Sequence, residues 1–128
     1  MTNFEFFIIA AIVSLVITTA LHSIAGEYYL IKPMFKHRGN KVLNHHLARI
    51  VIRFAWHLTS ILWLLLAVIL YLTAFETKDL EFGILLSTGV VFIVVGIYDL
   101  IVSRGRHIGW PSLMAIGICT FSAAFLLN

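Results

Sequence analysis

Apolar residues form four long runs in this sequence, and short polar segments separate them. The runs cover about residues 4–31, 50–73, 84–103 and 111–127. A helix needs about 20 mostly apolar residues to cross the hydrocarbon core of a bilayer. The four runs therefore predict four transmembrane helices, and they leave no room for a soluble domain.

The connections between the runs predict how the helices are arranged. Short loops make sequential helices antiparallel neighbours, so the expected fold is all-α, a compact antiparallel four-transmembrane-helix bundle that forms one domain over residues 1–128. Lys32 and Pro33 are the predicted stop of the first helix. In the connection that follows, Val42, Leu43 and Leu47 predict a short amphipathic helix at the membrane interface.

The composition supports a membrane protein and excludes several other classes. Of the 128 residues, 61% are hydrophobic and only 12% are charged, which is too apolar for a soluble domain of this size. Cys119 is the single cysteine, so an intramolecular disulfide and a CxxC metal or redox motif are both excluded. The net charge of +3 does not indicate nucleic-acid binding, because the basic residues flank the apolar runs.

The distribution of positive charge predicts the orientation. Eight of the nine lysines and arginines lie after run one, at the start of run two or after run three, whereas Lys78 lies on the opposite side. Basic loops stay in the cytoplasm, so we expect both termini outside, in a bacterial inner membrane. Four basic residues of the first loop are expected to contact anionic lipid headgroups: Lys32, Lys36, Arg38 and Lys41.

Ionisable residues also occur within the apolar runs, where they are costly and usually functional. His22 and Glu27 lie in run one, Arg53 and His57 in run two, and Asp99 in run three. At 1.5 Å per residue, all of them fall in the cytoplasmic half of the bilayer. The loop after run three adds a further histidine at the same end, so three helices and one loop offer polar groups to a common region.

Three chemistries fit this polar layer. A transition metal favours imidazole and carboxylate ligands, and the candidates are His22, His57, His107, Glu27 and Asp99. Haem b is the second, held by His22 and His57 on facing helices. The third is a proton or anion site, in which Arg53 pairs with a carboxylate and a histidine relays protons. Residues expected to support or bind an anion are Arg53, Arg104, Arg106, Trp56 and Trp110.

The leading hypothesis is a small membrane metalloprotein with a redox or metal-handling role, acting on a lipid-soluble substrate such as a quinone. One alternative is a non-catalytic subunit or assembly factor, whose intramembrane charges pair with a membrane partner. Another is a small proton or ion transporter, which would need to form a homo-oligomer because four helices are few for a pore. The polar layer could also be only structural, and the sequence does not indicate whether the protein is an enzyme.

Overall fold

The computed structural model describes residues 2–37, 39–76 and 78–126, and within these ranges the chain forms helices and no strand. The helices are α1 (Asn3–Lys36), α2 (His46–Phe75), α3 (Leu80–Ser103) and α4 (Trp110–Ala124). The first three are long and apolar enough to cross a membrane, as predicted. The described α4 is a shorter apolar helix of 15 residues. The predicted end of the fourth span, Leu127, lies outside the described residues.

Helix α1 is longer than a bilayer requires. Thr2 and Glu5 form a reciprocal capping box at its start. Its 34 residues then extend for about 51 Å. The predicted stop at Lys32 and Pro33 is wrong, because the helix continues to Lys36. Proline has no backbone N–H group and so cannot donate the usual hydrogen bond to the residue four positions earlier. Pro33 follows the π-helical turn Glu27–Ile31, where the backbone hydrogen bonds already depart from the α-helical pattern, and the helix therefore continues through it.

The predicted amphipathic helix between α1 and α2 is also absent from residues 39–45. Asn40 instead organises a turn, since its side-chain oxygen accepts the backbone N–H of Val42 at 2.9 Å. Such local side-chain hydrogen bonds compete with helix formation. Leu47, which the prediction placed in the separate helix, belongs to the first turn of α2.

Helices α3 and α4 are in close contact because glycines line their interface. A Cβ atom at Gly89 would lie 2.6 Å from the backbone nitrogen of Phe121, and one at Gly117 would lie 2.6 Å from that of Ile93. Both distances are far below van der Waals contact. Small residues therefore allow these two helices to approach each other closely.

The main helix contacts follow the order of the chain, with α1 on α2, α2 on α3 and α3 on α4. Each pair is antiparallel, because the contacts advance along one helix as they go back along the other: Glu27–Arg53 and His22–Ser60 for α1 and α2, Phe54–Tyr98 and Leu72–Gly83 for α2 and α3, and Gly89–Phe121 and Gly117–Ile93 for α3 and α4. The two basic connections therefore lie at the same end of the molecule, which we call the basic end. The sequential antiparallel arrangement agrees with the prediction, whereas closure into a compact four-helix bundle remains a prediction.

Candidate functional site

A group of three ionisable residues joins α1 to α2 near the basic end. The Glu27 carboxylate accepts hydrogen bonds from Arg53, with Nε at 3.2 Å from Oε2 and Nη2 at 3.1 Å from Oε1. This two-point geometry fixes both side chains. His57 Nε2 lies 3.4 Å from the same Oε2 atom. One carboxylate of α1 is thus shared by two side chains of α2 that are one turn apart.

Two serines continue this group deeper into the helix pair. Ser23 Oγ lies 3.1 Å from His57 Nδ1 and 2.8 Å from Ser60 Oγ. Ser60 Oγ in turn lies 3.0 Å from His22 Nδ1. Ser60 is only 3% exposed, so protein groups shield its hydroxyl from lipid and form its hydrogen bonds. We call the chain of side chains Glu27, His57, Ser23, Ser60 and His22 the relay.

Tryptophans of α2 hold the deep end of the relay. The His22 ring stacks on Trp56, with centroids 4.2 Å apart and planes inclined by 6°, and it meets Trp63 edge-on at 4.9 Å. Trp56 Nε1 donates to the backbone oxygen of His22 at 3.0 Å. Gly26 leaves room for the Trp56 ring at this position, because a Cβ atom on residue 26 would lie 2.6 Å from the indole. The imidazole is therefore fixed in position and orientation.

A second polar group lies at the end of α3. The carboxylate of Asp99 is buried, and its Oδ2 atom lies 2.6 Å from His107 Nδ1. Arg104 and Gly105 reverse the chain after α3 with positive φ angles of 53° and 73°. This turn returns His107 to the helix it follows, where its ring also meets Phe54 of α2 at 6.0 Å.

The structure thus divides the five predicted metal ligands into two groups. His22, Glu27 and His57 belong to the relay, whereas Asp99 and His107 pair with each other. Within residues 2–37, 39–76 and 78–126, no group of three or more His, Cys, Asp or Glu is arranged to hold a metal ion. The metal and haem hypotheses therefore gain no support from this geometry.

The other predicted site residues are distributed around the basic end. Arg53 and Trp56 belong to the relay's surroundings, whereas Arg104 and Arg106 are exposed in the turn after α3 and Trp110 begins α4. Of the residues expected to meet lipid headgroups, Lys32 lies with Nζ 6.0 Å from the Tyr28 ring centre, and Lys36 and Lys41 are exposed. Arg38 lies outside the described residues.

Three residues matter more than the sequence indicated. Ser23 and Ser60 connect the two histidines, and Gly26 admits the Trp56 ring. The helical spacing of Ser60 three residues after His57 indicates a shared face, but not which atom it contacts. Ser14 lies two turns before His22 on the same helix, yet its side chain is exposed and its hydroxyl donates to the Ala10 carbonyl of its own helix.

Comparisons with protein-family models, curated proteins and solved structures found no match to this chain.

Proposed function

We propose that this protein exchanges protons between the water layer at its basic end and a lipid-soluble substrate within the membrane. The observation that carries the proposal is the relay, an uninterrupted series of side chains that can each donate and accept a proton or hold a charge. Histidine is the side chain best suited to this role, because its charge changes near neutral pH.

The relay has two consistent arrangements of protons. In the first, His57 carries protons on both ring nitrogens, with Nε2–H directed at Glu27 and Nδ1–H at Ser23. Ser23 then donates to Ser60, which donates to the bare Nδ1 of His22. In the second, each of the last three protons has moved one step, so His57 Nδ1 is bare and His22 is doubly protonated. The positive charge has moved between the histidines, and the number of protons is unchanged.

The length of the relay favours exchange with the membrane interior over transport across it. From Glu27 to His22 the relay advances five residues, or about 7.5 Å, against a hydrocarbon core of about 30 Å. A substrate dissolved in the bilayer, such as a quinone, could meet protons at that depth. By the positive-inside rule the water at the basic end is cytoplasmic, which places both termini outside.

Nuclear magnetic resonance of histidine-labelled protein in lipid nanodiscs tests the proposal. Exchange of the ring N–H protons with water reports how protons reach each histidine. We expect the ring protons of both His22 and His57 to exchange with water in the natural sequence. In Ser60→Ala the exchange at His22 should slow, whereas the exchange at His57, which keeps its contacts with Glu27 and Ser23, should not change. Thr59→Ala is the matched control, since the Thr59 hydroxyl donates to the Ala55 carbonyl of its own helix and has no part in the relay.

Two results would overturn this proposal. One is a rate of exchange at His22 that is the same in Ser60→Ala as in the natural sequence. The other is a transition metal present at about one per chain in the purified protein and lost in His57→Ala, because the histidine would then be a ligand as the metal hypothesis predicts.

A further inference from the structure

A cavity of about 640 Å³ lies between α2 and α3 at the basic end. Its volume is within the range of about 300–1,000 Å³ that small-molecule sites occupy. His57 of the relay lies on its wall, so the cavity and the relay share one side chain. The cavity is therefore positioned to hold a molecule whose chemistry involves the relay.

One wall of the cavity carries a row of basic side chains, two of them arginines. His46, Arg49, Arg53 and His57 follow each other on α2 at spacings of three, four and four residues, which places them on one helix face. Helix α2 begins at His46 without a side-chain cap, so the positive end of its dipole adds to the same field. The field at this wall therefore favours an anion.

The two arginines differ in how far their charges are neutralised. Arg53 is paired with Glu27, whereas Arg49 has no carboxylate within ion-pair distance among the described residues. The Nε–H group of Arg49 donates to the Leu43 carbonyl. Both guanidinium groups lie near the Phe35 ring, at 5.9 Å for Arg49 and 5.3 Å for Arg53. Arg49 thus offers an oriented positive charge without a protein counter-ion.

The opposite wall is apolar and opens towards the surface that lipid would cover. Val94 and Tyr98 of α3 line the cavity and are also 60% and 56% exposed on the outside of the helix. In a membrane, that surface meets acyl chains. An occupant can therefore enter sideways from the bilayer and keep its apolar part against α3.

We propose that this cavity binds one phospholipid with a net negative head group, its phosphate at Arg49 and Arg53 and an acyl chain against Val94 and Tyr98. Arginine suits phosphate because its planar fork donates two parallel hydrogen bonds. The combination of an unpaired cation with an apolar, laterally open wall matches a lipid better than a free anion. The connection to proton exchange, through His57, rests on the proposed function, whereas the binding does not.

Native mass spectrometry of the detergent-solubilised protein, titrated with phosphatidylglycerol, tests the binding. We expect one tightly bound lipid, and an affinity lower by about tenfold or more in Arg49→Gln. Arg106→Gln is the matched control, because this exposed arginine lies at the same end of the molecule but does not line the cavity. Equal losses in the two variants would show unspecific attraction to the basic end and would overturn the proposal.

A second pair of variants tests the apolar wall without altering charge. Val94→Trp should place an indole ring where the acyl chain would lie and weaken specific binding, whereas Val90→Trp, one turn away on α3 and outside the cavity lining, should retain it. Unchanged binding in Val94→Trp, or full competition by inorganic phosphate, would show that no lipid chain occupies the cavity. Ser60→Ala separates the two proposals, because it interrupts the relay while leaving lipid binding intact.

Discussion

At the scale of single residues, Ser60 is the side chain that connects His22 to the rest of the relay. Its hydroxyl lies 2.8 Å from Ser23 and 3.0 Å from His22, so it closes the gap between the two halves of the relay. A hydroxyl is both a donor and an acceptor, and its proton can rotate to either partner. A methyl group at this position keeps the packing nearly unchanged, and under the proposed function it should end proton transfer.

The Asp99–His107 pair differs from the relay, because its contact stabilises the fold. Asp99 is only 1% exposed, and within the described residues its Oδ1 atom has no hydrogen-bond partner. His107 is therefore the side chain that compensates this buried carboxylate. The hydrogen bond between these two side chains holds the turn between α3 and α4 against the end of α3.

Removing His107 should accordingly destabilise the protein. We expect His107→Ala to lower the free energy of unfolding by about 3–5 kcal/mol, because it leaves a buried carboxylate unpaired. Asp99→Asn should cost less, since its side-chain oxygen can still accept a hydrogen bond from the Nδ1–H group of His107 and no charge is buried. Thermal unfolding in detergent measures both. His45→Ala, an exposed histidine in the first connection, is the control, and an equal loss in that variant would contradict this role of His107.

At the scale of helices, the fit of Trp56 against α1 explains how the relay is held. The π-helical turn Leu21–Ala25 contains His22, and the backbone oxygen of His22 accepts the indole N–H. Gly26 follows this turn and leaves room for the ring. Local π-helical turns occur often at functional sites, where they redirect side chains.

Replacing Gly26 should therefore displace Trp56. In Gly26→Ala the new Cβ would lie 2.6 Å from the ring, so we expect the indole to move and lose its hydrogen bond to the His22 carbonyl. Tryptophan fluorescence in a Trp63→Phe, Trp110→Phe background would report the change. Gly83→Ala is the control, because its Cβ would meet only a flexible Leu72 methyl group at 3.2 Å. An unchanged Trp56 spectrum in Gly26→Ala would contradict the close fit.

Helix boundaries also show where sequence reasoning succeeds and fails. Hydropathy predicted α2 and α3 to within four residues at each end, because apolar length is a property of the segment alone. It missed the continuation of α1 through Pro33, which depends on the π-helical turn before it.

The contacts of the site were predictable only in part. Helical spacing placed His22, Glu27 and His57 in one layer. It could not assign Asp99 and His107 to each other, because the turn after α3 decides that contact.

At the scale of the whole molecule, the helices form a sequence of antiparallel pairs whose basic connections share one end. Helix α1 contacts mainly α2, and much of its apolar surface remains exposed, including Phe7, Ile24 and Tyr29. Lipid, a second copy of the chain or a partner subunit could cover this surface in the membrane. The relay itself lies between α1 and α2 and is complete within one chain.

The charge distribution predicts how this arrangement is oriented in a membrane. In a Cys119→Ser background, Asn40→Cys in the first connection and Lys78→Cys between α2 and α3 should react from opposite sides. An impermeant maleimide added to intact cells should label only Lys78→Cys, and Asn40→Cys should react only after the membrane is opened. Labelling of Asn40→Cys in intact cells would contradict a cytoplasmic basic end.

The most direct test of proton exchange is the rate at which the His22 ring changes its protonation state, measured by nitrogen relaxation dispersion in nanodiscs near the midpoint of its titration. A relay through Ser60 predicts that Ser60→Ala slows this exchange on the order of 10²-fold or more, while Thr59→Ala leaves it unchanged. An equal rate in the natural sequence and in Ser60→Ala would show that protons reach His22 by another route, and the account of the relay would be wrong.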